Sequence, residues 1–338
     1  MRRQGMAILM PHDAPMVQLR IAILGLGAWG GTLAALWRDR GHQVEGWSRR
    51  DGADPLALLP GQDLIVAAMS MAGVGQLASQ LAPQWPAGLP LLSCSKGIDL
   101  KSGCTASGLW QRANPAIPLL VLSGPNLASE LAEGLPAASV LASSDGDLAR
   151  TLQQDLSSER LRLYTSSDPI GTEVAGALKN VMAIAAGVSD GLGLGANAKA
   201  SLLCRGLVEM GLVLAELGGH PSSLYGLAGL GDLLATATSP LSRNYRFGLL
   251  LAEGLSSAAA IERIGATVEG VPTARAVMQL AEQRGWTLPI SAEVLNLVAG
   301  TTPPAAAVRR LMERQLREER LPDLVAASAT ASAARPAP

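Results

Sequence analysis

The sequence predicts an α/β N-terminal domain on a mostly parallel sheet with helices on both faces, followed by an all-α C-terminal domain. Three observations predict it. A short apolar run, Gln18-Leu19-Arg20-Ile21-Ala22-Ile23-Leu24, ends in glycine and gives way to a helical pattern. Further short apolar runs alternate with helical stretches as far as Thr165, the rhythm of strand–helix–strand units. From Asp168 onward only helical periodicity remains.

In order, the run to Leu24 reads as a buried strand, and Thr32–Arg40 as a helix stopped by Gly41, a natural residue just past a helix end. His42–Trp47 and Asp63–Met69 read as the next strands. Leu91–Ser93, Leu119–Leu122, Ser139–Ala142 and Leu161–Thr165 follow as further strands, with helices such as Gly75–Leu81 and Leu127–Glu133 between them. In the second half, Ile170–Val188 and Ala198–Leu217 are long helices, with shorter ones to about Arg320. Ala198–Leu217 is apolar almost all round, which predicts a helix at the centre of its domain. The resulting division is an extension over 1–17, a first domain over 18–168, a second over 169–320, and an Ala/Ser/Pro-rich, disordered tail over 321–338.

Composition excludes several classes. The chain has 338 residues, room for two domains of ~100–200 residues each. Its 27 basic and 28 acidic residues leave a formal charge of −1, so no global basic surplus serves nucleic-acid binding. Aromatic residues are 3 % of the chain, too few for base-stacking platforms. Cys94, Cys104 and Cys204 are odd in number and lack metal-ligand spacing, which fits a reducing compartment without structural zinc. Mean hydropathy is +0.25. Even so, Pro115, Pro118 and Pro125 interrupt one uncharged stretch, and Glu209 and Glu216 another, so neither reads as a membrane span. The N-terminus lacks the apolar core of a secretion signal, and the expected location is cytoplasmic.

Gly25-Leu26-Gly27-Ala28-Trp29-Gly30 is a G-x-G-x-x-G element placed between a strand and a helix. That context turns a weak motif into a dinucleotide-binding one, the mark of a Rossmann domain. Gly25 allows the tight turn, Gly27 the approach of a pyrophosphate, and Gly30 close helix–strand packing. The alternative is a glycine-rich turn without a ligand. Where NAD enzymes usually carry an acid at the end of the second strand, this chain reads Ser48-Arg49-Arg50, with Glu45 left inside the strand. Two guanidinium groups there suit a 2′-phosphate, so NADPH is the expected cofactor, with NADH also accommodated; a solvated pair of arginines is the alternative.

Only four of the 27 basic residues are lysines: Lys96, Lys101, Lys179 and Lys199. Lysine, unlike arginine, has a pKa that surroundings can move. Lys96 follows a strand in Cys94-Ser95-Lys96-Gly97, where open α/β sheets bind ligands. Lys179 lies in an apolar helix, either snorkelling outward or pointing into a cleft between the domains. Asp232, in Gly231-Asp232-Leu233, is either a helix cap or a site residue. Ser242-Arg243-Asn244 offers hydroxyl, guanidinium and amide groups for a phosphate ester, or simply a helix N-cap. Of the histidines, His42 begins a strand, His220 sits in a connection, and neither reads as an acid–base group.

With these residues in hand, the chain resembles the NAD(P)-dependent glycerol-3-phosphate dehydrogenase family of bacterial and plastid type, from about Leu19 to Arg320. The resemblance is carried by Gly25–Gly30 with Trp29, Cys94–Gly97, Leu122-Ser123-Gly124-Pro125 and Gly176-Ala177-Leu178-Lys179-Asn180. Gly195–Ala200 with Arg205–Leu207, and Gly226–Asp232 through Asn244, carry it further. It implies reversible reduction of dihydroxyacetone phosphate to sn-glycerol 3-phosphate, a precursor of glycerophospholipids. It implies Lys179 as proton donor and acceptor, and Lys96 as a contact to substrate and cofactor. Gly124, Asn126, Asp232, Ser242, Arg243 and Asn244 are implied around the substrate. Ala28, Trp29, Arg49, Arg50, Ala128, Arg243 and Glu269, with the three motif glycines, are implied around the cofactor. A homodimer is implied by analogy.

The chain departs from the family pattern at Ala28, where Ser is common, and at Asn126-Leu127 in place of Ser-Phe or Thr-Phe. Ala68-Met69-Ser70 and Ala237 depart as well. None removes a residue the chemistry needs. Near Lys179, the neighbouring Lys96 is expected to lower its pKa. Two other readings compete: a related two-domain dehydrogenase of β-hydroxyacid type acting on a carboxylate, and an NADPH-binding sensor without turnover.

Overall fold

The structure, a computed structural model, describes residues 17–315 together with 318 and 319. Of the extension expected over 1–17, all but Val17 lies outside the described residues, as do the tail from 321 and the end of the helical region near Arg320; the Val17 N–H donates to Asp155 Oδ1 at 3.2 Å.

Seven strands and five helices make the first part: β1 (Arg20–Leu24), α1 (Ala28–Asp39), β2 (Gln43–Trp47), β3 (Leu64–Ala67), α2 (Met71–Leu81), β4 (Leu91–Ser93), α3 (Ala106–Ala113), β5 (Leu119–Ser123), α4 (Ala128–Ala132), β6 (Ala137–Ala142), α5 (Gly146–Leu156) and β7 (Leu161–Ser166). The sheet order is β2-β1-β3-β4-β5-β6-β7. Neighbours run parallel except β6, which is antiparallel to β5. The central strands β1, β3, β4 and β5 are buried almost throughout, as sheets covered on both faces require. One apolar layer gathers Leu33, Trp37, Leu152 and Leu156 on one face; the other gathers Val74, Leu81 and Trp110. Helix α1 begins four residues earlier than expected and α2 also four earlier, because each starts in the turn that leaves its strand, at Ala28 and Met71.

The remainder is helical: α6 (Pro169–Gly191), α7 (Gly195–Glu216), α8 (Asp232–Ala237), α9 (Arg243–Ala252), α10 (Ser257–Ile264), α11 (Gly270–Arg284), α12 (Pro289–Ala299) and α13 (Pro304–Met312). Asp168 starts α6: its carboxylate accepts from Gly171 N at 2.9 Å, and Pro169 occupies the first helical position. The central helix is α6, not α7 as its apolar composition predicted. Every residue from Gly171 to Ser189 is buried, whereas Leu212 and Cys204 of α7 are exposed. The reason is steric. Helix α6 is rich in alanine and glycine, so α7, α8, α9, α11 and α12 all reach it. At Gly187 and Gly248 the α6 and α9 backbones touch, and a Cβ on either would overlap the opposing main chain. The bulkier side chains of α7 hold neighbours to one face.

Among the described residues no helix is long and apolar enough to cross a membrane.

Candidate active site

The loops that leave β1, β3, β4 and β5 open at one edge of the sheet, where open α/β sheets bind ligands. After β1, Gly25 takes φ +106, and its N–H donates to Trp47 O at 2.8 Å. A Cβ on Gly25 would come within 2.8 Å of Ala68 O, so the turn tolerates no side chain. Helix α1 then starts with no side-chain cap and no acid in its first turn. Gly27 and Ala28 are exposed, leaving unpaired helix N–H groups at a positive helix end. This uncapped turn fits the pyrophosphate of a dinucleotide. A hollow of about 450 Å³ flanks it, lined by Leu26, Gly27, Ala28, Thr32 and Leu131 among others. Ala128, which opens α4, is tied to α1 by its carbonyl, which accepts from Thr32 Oγ1 at 3.3 Å. Gly30 packs against the Gly25 carbonyl, as its place in the motif requires. The Trp29 ring is half-buried, packs against the sheet core and reaches Cys94. Burial pushes the Cys94 thiol up to about 12.

Beyond β2, Ser48 caps a short turn over Arg49–Asp51. It accepts from Arg50 N at 3.2 Å, and Asp51 accepts from Ser48 N at 3.0 Å. The capped turn holds Arg49 and Arg50 exposed at the strand end.

The centre of the site is Asp232. It lies 1 % exposed at the start of α8, directly after a π-helical turn over Leu227–Gly231. Lys96 Nζ, from the loop after β4, donates to Asp232 Oδ2 at 2.6 Å and to Gly124 O at 3.3 Å. Lys179 Nζ, from the middle of α6, donates to Asp232 Oδ1 at 2.8 Å and to Thr236 Oγ1 at 2.7 Å. Thr236 in turn donates to Asp232 Oδ1 at 3.2 Å. Lys179 therefore points into the cleft and does not snorkel. An ammonium carries three donors, so each lysine has one N–H left for a ligand.

Around this core, α9 begins with Ser242, whose side chain accepts from Tyr245 N at 3.2 Å, so the cap reading of that residue holds. Asn244 donates to Asn180 Oδ1 at 2.8 Å and accepts from Gly270 N at 2.9 Å, which ties the first turns of α9 and α11 to α6. Arg243 is exposed beside them, its charge felt by both Lys179 and Glu269. Glu269 stands just before α11, against the Met71 N–H that opens α2. The Asn126 amide exchanges hydrogen bonds with Ser139 Oγ at 2.7 and 3.0 Å, two residues after the Gly124 carbonyl that Lys96 contacts.

Burial lowers the Lys179 pKa to about 8; Asp232 opposes the shift, and Lys96 and Arg243 add to it. The depression expected from Lys96 is thus present, but burial is the larger cause. Burial works against the Asp232 carboxylate too, yet the two ammonium groups outweigh it and hold its pKa below the ordinary range. Glu269 is pushed up to about 6 by burial, against the pull of Arg243 and the Met71 N–H.

Sequence reasoning missed Thr236 and Asn180 as side chains of this network. Thr236 was legible in principle, since it follows Asp232 by four residues and so shares its helix face. Asn180 carried no such signal.

A nucleotide-type sheet with an uncapped glycine turn, facing a helical lobe that supplies a buried lysine, defines a nicotinamide-dependent dehydrogenase with a separate helical domain. Family models described as the NAD-dependent glycerol-3-phosphate dehydrogenase N-terminus and C-terminus match residues 51–149 and 168–309. The chain is 58 % identical over 301 residues to glycerol-3-phosphate dehydrogenase [NAD(P)+] of Synechococcus sp. strain RCC307, covering 89 % of this chain and 99 % of that one. It is 49 % identical over 302 residues to the protein of the same name in Gloeobacter violaceus, covering 89 % and 99 %. The crystal structure of glycerol-3-phosphate dehydrogenase from Coxiella burnetii superposes with a TM-score of 0.84 at 34 % identity, over 88 % of this chain and 99 % of that one. This chain belongs to the NAD(P)-dependent glycerol-3-phosphate dehydrogenase family.

Proposed function

We propose that the chain reduces dihydroxyacetone phosphate to sn-glycerol 3-phosphate, reversibly, with NADPH preferred over NADH. The observation that carries this reading is the Lys96–Asp232–Lys179 bridge, which joins a loop at the sheet edge to the helical lobe.

In this reading Gly25, Gly27, Ala28, Trp29 and Gly30 hold the pyrophosphate, and Arg49 and Arg50 the 2′-phosphate. A nicotinamide cofactor held by these residues would supply the hydride for the ketone carbon. Negative charge then grows on the ketone oxygen, where Lys179 stabilises it and gives up a proton to form the alcohol. The lysine is left neutral and takes its proton back from water. Asp232 and Thr236 occupy two of its donors and aim the third. Lys96 holds a second polar group of the substrate. Arg243, at the positive end of α9, takes the phosphate, whose binding energy orients the carbonyl. Asn244 acts by holding α9 to α6, and Gly124 by fixing Lys96. The two domains divide at Asp168. Cytoplasmic location, assembly as a homodimer and supply of the glycerophospholipid backbone complete the reading.

The test is NADPH oxidation, followed by absorbance, on adding dihydroxyacetone phosphate to the purified chain. Turnover is expected there and none with ketopantoate or hydroxyisobutyrate. Cofactor binding without turnover would favour a sensor and sink the proposal.

A further inference from the structure

Glu173 is a buried carboxylate that the chemistry above does not use. It lies near the start of α6, 3 % exposed, yet every partner comes from the sheet domain. Oε1 accepts from Ser93 Oγ at 3.1 Å and from Ser107 N at 3.0 Å; Oε2 accepts from Ser107 N at 3.2 Å and, in a short contact, from Ser107 Oγ. Ser107 belongs to the first turn of α3, and Ser93 is the last residue of β4, three positions before Lys96. On the other side, Lys179 follows Glu173 by six positions, about 9 Å along the same helix. Between them Gly176 presses on Ser123 Oγ, close to the Lys96 side chain.

We propose that Glu173 is a positioning residue, a directional latch that fixes α6 along its axis against β4 and α3 and so sets where Lys179 stands relative to Lys96. Apolar packing alone would hold the two domains together, and more cheaply than a buried carboxylate that has no cation partner among the described residues. Apolar contacts are non-directional, however, and let a helix slide. Four hydrogen bonds to two fixed backbone elements do not, and the α3 N-terminus favours the negative charge. Burial pushes the Glu173 pKa up, while donors on Ser107, Thr105 and Ser93 oppose it, as befits an acceptor held by its partners. A helix misplaced by about 1 Å would cost turnover heavily, because proton transfer needs hydrogen-bond reach.

This inference rests on the proposed role of Lys179, so Lys179→Met is measured beside it. Glu173→Gln and Ser107→Ala are compared with the unmodified chain in kcat, in KM for NADPH and in the pH dependence of dihydroxyacetone phosphate reduction. The latch predicts that Glu173→Gln lowers kcat roughly tenfold or more with KM for NADPH unchanged. It also moves the alkaline limb upward from about 8, as Lys179 gains water and separates from Lys96. Ser107→Ala does the same to a smaller extent, and the double variant is no worse than Glu173→Gln alone. An unmoved limb overturns the latch, whether kcat stays normal or falls, since general destabilisation lowers kcat without moving it. Should Glu173→Gln fail to fold, Ser107→Ala decides alone by the same criterion. Normal turnover in Lys179→Met overturns the chemical reading itself; an inactive Lys179→Met with unshifted latch variants overturns only the latch.

Discussion

Lys179 Nζ lies 2.8 Å from Asp232 Oδ1, joining the buried middle of α6 to a residue 53 positions further along the chain. Burying either charge alone would cost several kcal/mol. Together, and with Lys96 on the other carboxylate oxygen, they hold a charged lysine inside the protein at a pKa near the working range.

Replacing Lys179 by Met keeps the length and removes the proton. Turnover is expected to fall by about 10²–10⁴. NADPH affinity, measured by fluorescence titration, should stay within a factor of about two, because the glycine turn and Arg49–Arg50 belong to the other domain. Retained turnover excludes Lys179 as the proton donor.

The pKa of about 8 at Lys179 gives the two directions of reaction opposite pH dependences. Ketone reduction needs the ammonium, so kcat/KM for dihydroxyacetone phosphate should fall as pH rises through about 8. Alcohol oxidation needs the free amine, so kcat/KM for glycerol 3-phosphate should rise over the same interval. Profiles from pH 6 to 10 that run in parallel in the two directions contradict this assignment.

Asp232→Asn removes the charge that opposes the fall in the Lys179 pKa. The limb of the reduction profile should therefore move below 8, with kcat reduced by about 10² or more. Stability at pH 7 should drop by up to about 3–5 kcal/mol, because Lys179 and Lys96 lose their shared partner. The deficit should shrink at pH 9, where Lys179 sheds its proton. Urea titrations at both pH values measure the difference.

Changing Arg49 and Arg50 together to serine should raise KM for NADPH by roughly ten- to a hundredfold and leave KM for NADH nearly unchanged. Charge-assisted hydrogen bonds of about 1.5–3 kcal/mol are lost only with the phosphorylated cofactor. Equal effects on both cofactors would refute the 2′-phosphate role.

The parts of this protein written in local chemistry were legible in its sequence. The glycine turn announces itself because few residues but glycine tolerate φ +106 against a neighbouring strand, and the change to helical periodicity near Asp168 marks where α6 begins. The strand–helix alternation fixed the α/β class, since apolar periodicity is a property of each segment. Lys96 stood out by its place after a strand, and Lys179 by its rarity in an apolar helix.

Only the tertiary structure decided which helix is central. Composition favoured Ala198–Leu217, but small residues let α6 accept neighbours on every side, and that depends on who packs against it. The tertiary structure alone also gave Lys179 its direction, drew Thr236 and Asn180 into the network, turned Asn126 toward Ser139, and set Glu173 between the domains. Hydrogen bonds between residues dozens of positions apart leave no periodic trace along the chain. A sequence states which groups are available, whereas burial and the partners met in the fold decide what charge they hold and where they point.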